Sequence, residues 1–116
     1  MNNYIDNYIK AQKAYYEACE GINVKKNEQI LLKCKTIWSY FFARDILNAD
    51  IKAHEQVILE LKKPEYSCWF ARNIAKADIE EHFKVVFNSG NKEWFKYFIK
   101  YVNYKGTKIE KWLLFI

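Results

Sequence analysis

The sequence predicts an all-α fold, a small α-solenoid of stacked helix-turn-helix repeats. Three observations carry that reading. The chain repeats itself: "FARDILNADIKAHE" (42–55) returns 28 residues later as "FARNIAKADIEEHF" (70–83), pairing Phe42 with Phe70, Arg44 with Arg72, Asp50 with Asp78 and His54 with His82. Apolar residues within a copy fall at helical spacing, as in Tyr66, Trp69, Phe70 and Ile74, and again in Ile79, Phe83, Val86 and Phe87. Three glycines and one proline in 116 residues leave little turn chemistry for an all-β chain. A helix pair this short cannot bury its apolar stripe alone, so neighbouring pairs are expected to stack on a shared core.

Eight short helices in four pairs follow, near 5–20/23–34, 36–47/50–62, 64–75/78–88 and 91–103/107–115. They form units of about 5–34, 36–62, 64–88 and 91–116 in a single domain. The first pair enters the repeat through "NVKKNEQILL" (23–32), which lies under "DIKAHEQVIL" (50–59) and shares Glu28-Gln29 with Glu55-Gln56. In the second and third pairs, Asp50 and Asp78 are placed to cap the second helix by accepting its orphan N–H bonds. Pro64 opens the third pair at a first helical position, where its missing N–H costs nothing. Asn88-Ser89-Gly90-Asn91 supplies a glycine stop and an asparagine start for the fourth, and Thr107 with Glu110 reads as a capping box on the final helix. The closing "WLLFI" is either a tucked cap, the favoured reading, or an uncovered apolar face through which two copies would dimerise.

An apolar content of 51% with 18% aromatics excludes disorder and supports a sizeable core. Lys outnumbers Arg 17 to 2, a bias that AT-rich codons produce. Cys19, Cys34 and Cys68 are odd in number and lack any CxxC, so they read as buried, reduced thiols rather than a disulfide framework or zinc site. With no stretch of signal-peptide or membrane-spanning character, the expected location is the cytoplasm, the host cytoplasm if the chain is phage-encoded.

The unit "PEYSCWFARNIAKADIEEHFKVV" (64–86) resembles short α-helical repeats with FARD[VI]…ADI units that occur in uncharacterised phage, prophage and large-DNA-virus proteins. The resemblance covers residues 36–103 well and the flanks loosely. It implies the repeat fold and a small mobile-element protein. It implies no catalytic residue, and the chain departs from the pattern at Lys62-Lys63 and Lys76.

Arg44, Arg72, Asp45, Asp50 and Asp78 form the most suggestive polar set. An arginine ladder grips phosphates or carboxylates in one reading. In the favoured one it bridges adjacent units, for example from Arg72 to Asp45 or Asp50, because it repeats in step with the core. His54 and His82 read as half-buried packing positions, since two histidines do not close a metal site. No Gly-rich phosphate loop, H-E-x-x-H or G-x-S-x-G is present, and the chain is too short for the groove of a helical-repeat DNA glycosylase, although Trp69, Arg72 and Asp78 match its residue types. No enzyme activity, cofactor or metal is expected.

Charge is uneven. Residues 1–83 are net neutral, whereas residues 84–116 carry seven lysines against Glu93 and Glu110. Trp94, Phe95, Phe98 and Val102 make a core stripe, and Lys92, Lys96 and Lys100 run along another face. Together with Tyr104, Lys108 and Lys111 these lysines are the candidate partner-binding residues. The expected function is protein binding, as a mobile-element inhibitor of a host protein such as a CRISPR or other defence effector. The alternative is a nucleic-acid-binding domain that uses the basic, aromatic segment 84–111.

Overall fold

The computed structural model describes residues 3–114, and these are all-α, with no strand among them. Eight helices follow in order: α1 (Asn3–Cys19), α2 (Val24–Cys34), α3 (Trp38–Asp45), α4 (Ile51–Leu61), α5 (Pro64–Asn73), α6 (Ile79–Ser89), α7 (Lys92–Tyr101) and α8 (Lys108–Leu113). None is long and apolar enough to cross a membrane. The chain divides into two compact units, Met1–Leu61 and Lys62–Ile116, each built from two helix pairs. Within each unit the alternate helices touch: α1 with α3 and α2 with α4 in the first, α5 with α7 and α6 with α8 in the second. That is the contact pattern of one helix pair laid on the next.

The internal repeat fixes where three helices stop. Phe42, Phe70 and Phe98 stand 28 residues apart and are all fully buried. Each gives its carbonyl to the N–H four residues on, from Ile46, Ile74 and Val102, at 3.0 Å. Those three residues then leave the helix in extended conformation, with φ between −92° and −107°. Buried β-branched side chains at the exit therefore end α5 and α7 two residues before their expected ends, as Ile74 and Val102 turn inward.

The starts have caps. Asp50 Oδ1 accepts from Ala53 N–H at 3.2 Å, Asp78 Oδ1 from Glu81 N–H at 3.3 Å, and Asn91 Oδ1 from Trp94 N–H at 3.0 Å. Pro64 opens α5, and Gly90 closes α6 at φ +71°. Thr107 caps α8 as expected, but the return bond of Glu110 is shifted by one residue. Thr107 Oγ1 accepts from Ile109 N–H, while Glu110 reaches back to Gly106 N–H instead of that of Thr107, whose own N–H bonds the Tyr104 carbonyl.

In the first unit α1 packs against α2 and α3, and its buried residues are Ala11, Ala14 and Ala18, a small-residue stripe at helical spacing. Leu31, Phe42, Val57 and Ile58 are buried in the same unit. In the second, Cys68, Ala71, Phe83, Val86, Phe98, Val102 and Ile109 form a buried cluster, with Trp94, Phe95, Tyr104 and Leu113 packed around it. Burying one such large side chain stabilises by about 1.5–3 kcal/mol, so these clusters dominate each unit.

Candidate functional site

The two arginines of the repeat have different partners. Arg44 forks onto its neighbour Asp45, Nε to Oδ1 at 2.7 Å and Nη2 to Oδ2 at 2.9 Å, and its guanidinium lies 5.0 Å from the Phe41 ring centre. Tyr15 of α1 donates its hydroxyl to the same carboxylate. The Arg44 bond holds the Asp45 carboxyl below the usual carboxylate range, and burial with the Asp45 bond pushes the Tyr15 phenol up. In the other copy the next residue is Asn73, not an acid. Arg72 turns to α7 instead, donating to the Tyr97 hydroxyl at 2.7 Å and lying 4.7 Å from the Tyr101 ring centre. Asp50 and Asp78 serve as caps of α4 and α6.

The histidines are fully buried rather than half-buried. His54 stacks on Phe42 (4.9 Å, 25°) and His82 on Phe70 (5.1 Å, 27°), two matched copies of one packing motif. His54 Nε2 lies 2.9 Å from Glu28 Oε2, which also accepts the Asp50 backbone N–H at 2.8 Å. With a carboxylate as partner, Nε2 carries the proton of the neutral ring. Burial holds the His54 pKa below its ordinary value, against the pull of Glu28. His82 Nδ1 instead meets Ser67 Oγ at 3.0 Å. Of the thiols, Cys34 and Cys68 are buried as expected, and burial pushes Cys68 up to about 12. Cys19, expected to be buried, is exposed near the end of α1, where Ala18 takes the inward position. No group of three or more metal-ligating side chains gathers among the described residues.

What the second unit does present is an aromatic face on α6, α7 and α8. Phe83 anchors it from the core, in contact with Phe87 and Phe95 and edge-to-face with Trp112 at 5.4 Å. Phe87 meets Trp112 at 4.8 Å and 86°, yet it stays 48% exposed and Trp112 36%. Two clefts share Phe87 as their common wall. One, of about 350 Å³, runs between α6 and α8 along Phe83, Lys84, Lys108, Ile109 and Trp112. The other, of about 290 Å³, lies between α6 and α7 along Val86, Gly90, Lys92, Phe95 and Lys96.

The candidate binding residues divide accordingly. Lys92, Lys96 and Lys108 rim the clefts. Lys100, the counterpart of Arg44 and Arg72 in the 28-residue register, lies 5.3 Å from the Tyr101 ring centre instead. Tyr104 packs against the core, and Lys111 is exposed but lines neither cleft. Leu113 of the closing "WLLFI" is tucked while Leu114 is 83% exposed, and Phe115 and Ile116 lie outside the described residues. Apolar periodicity places Phe83 and Phe87 alike on a core stripe. Helical spacing gave no signal that Phe87 would remain open.

The arrangement defines an all-α protein of paired helices with an open, basic-rimmed aromatic face. Comparison of the chain with known protein families, with curated proteins and with solved structures returned no match.

Proposed function

We propose that this chain is a non-catalytic protein-binding module, a short α-solenoid of helix pairs that engages its partner through the aromatic face of α6, α7 and α8. The observation that carries this reading is the open pair Phe87 and Trp112 between two apolar clefts. Large aromatics left half in water on well-packed helices mark contact surfaces, because covering them gains transfer free energy. Tryptophan is also among the side chains most enriched at interface hot spots. Both histidines and two of the three thiols are buried, out of reach of a solute. The likeness to phage and prophage repeats suggests a host protein, such as a defence effector, as the partner class.

Affinity capture from bacterial lysate with the wild-type chain and with Phe87→Glu tests the reading. A stoichiometric protein recovered by the first and lost with the second supports it. The same proteins recovered by both would place the interface elsewhere. A parallel titration with single-stranded oligonucleotides decides against nucleic acid if affinity is weak at low salt. Tight binding that falls linearly on a log–log salt plot would replace the protein reading with the nucleic-acid one.

A further inference from the structure

Taking that reading as its basis, we infer that the occupant of the aromatic face is an acidic amphipathic helix, seated with apolar anchors on either side of Phe87 and acidic side chains against the surrounding lysines. The clefts set the anchors. Each is at the small end of ligand-sized cavities, suited to one or two bulky side chains rather than to a folded loop. Their shared wall, Phe87, divides the occupant's apolar stripe into two groups, as residues about one or two turns apart on a helix would be. The all-α surroundings set the secondary structure. No strand edge exists among the described residues for an extended peptide to add to, whereas a helix arrives with its backbone hydrogen bonds already made.

The rim sets the charge. Lys84 and Lys108 flank the first cleft, Lys92 and Lys96 the second. Two acids on α6 are already engaged: Glu80 accepts the Lys108 backbone N–H at 3.0 Å, and Glu81 pairs with Lys84 at 3.4 Å. Among the described residues the ammonium groups of Lys92, Lys96 and Lys108 have no ion pair. An acidic partner is drawn to such a rim, and a basic one is repelled. A second copy docking this same face would bring lysines against lysines, which disfavours a two-fold dimer here. The near-perpendicular meeting of Phe87 and Trp112 forms a socket, unlike the successive ring faces that stack single-stranded bases.

The probe is a designed helical peptide with leucine and phenylalanine on one face and glutamate on the other, titrated into the full chain by fluorescence anisotropy. Its controls are the same peptide with lysine for glutamate, and with alanine for the apolar anchors. The acidic amphipathic peptide should bind at least tenfold more tightly than either control. Phe87→Ala and, independently, Lys92→Glu with Lys96→Glu should each cost at least tenfold, with thermal unfolding showing that both variants fold. Equal binding of the acidic and lysine peptides overturns this inference, and the protein-binding proposal still stands if a captured partner depends on Phe87. Binding indifferent to both sets of substitutions overturns it too, as does self-association at low salt that Phe87→Ala abolishes, or an oligonucleotide that displaces the peptide and needs Phe87. If no peptide binds and no partner is captured, both readings fall.

Discussion

Glu28 shows how a single side chain can join two helices. Its buried carboxylate accepts from the Asp50 N–H at the start of α4 and from His54 Nε2, both under 3 Å. An acid at a helix start is also favoured by the macrodipole. Glu28→Ala should therefore strand the buried His54 donor and the part-buried Asp50 N–H and lower stability by about 2–4 kcal/mol. Urea unfolding checks this, and a loss within about 0.5 kcal/mol would show that the carboxylate is dispensable. The same site predicts a pH dependence. Because burial depresses the pKa of His54, the unfolded chain gains a proton below about 6.5 that the folded chain resists. Its contribution is intact above that pH and is eroded as pH falls toward the folded value. Asp45, held low by Arg44, acts with the same sign, its contribution fading as pH drops from 3.8 toward the folded value. The urea midpoint should fall between pH 7.5 and 5, and His54→Gln should flatten that slope.

At the scale of the helix, the starts and stops were the most legible features, because caps and exits are local chemistry. Asp50, Asp78, Asn91, Pro64 and Gly90 occupy the places their side chains or backbone freedom suggested. Gly90→Ala isolates one such term. A Cβ there would touch nothing within 4 Å, so the cost is the left-handed backbone alone, about 1 kcal/mol. Asn91→Ala, which removes the cap on α7, should cost a similar ~1 kcal/mol. Thermal unfolding of the two single variants and the double tests this. Because the residues are adjacent, departure of the double from additivity measures their coupling. Thr107 caps α8, but the return bond of Glu110 falls one residue early, because spacing along the sequence cannot say which of two neighbouring N–H groups is left unpaired. In the folded chain the Tyr104 carbonyl claims the Thr107 N–H, leaving that of Gly106 to Glu110.

For the molecule as a whole, charge and exposed surface set the expected behaviour. The first unit is net neutral and the second carries the whole +5. The lysines rim an aromatic face that would otherwise be adhesive, so the purified chain should sediment as a 14.0 kDa monomer at low salt. Raising salt screens the rim and should allow weak association, which Phe87→Glu should suppress. Sedimentation across a salt series is the measurement. A salt-independent dimer would mean that another surface, such as the open Ile5, Ile9 and Tyr16 on α1, pairs the copies.

The sequence by itself determined the all-α class, the helix boundaries to within a few residues and the 28-residue register that buries Phe42, Phe70 and Phe98 alike. Those follow from periodicity and capping, which act over a turn or two of chain. Tertiary structure alone decided that Arg44 stays with Asp45 while Arg72 reaches Tyr97 and Tyr101, and that Phe83 is enclosed while Phe87 is not. Spacing along a helix tells which side chains share a face. Only the packing of the other helices tells whether that face is covered, and by what.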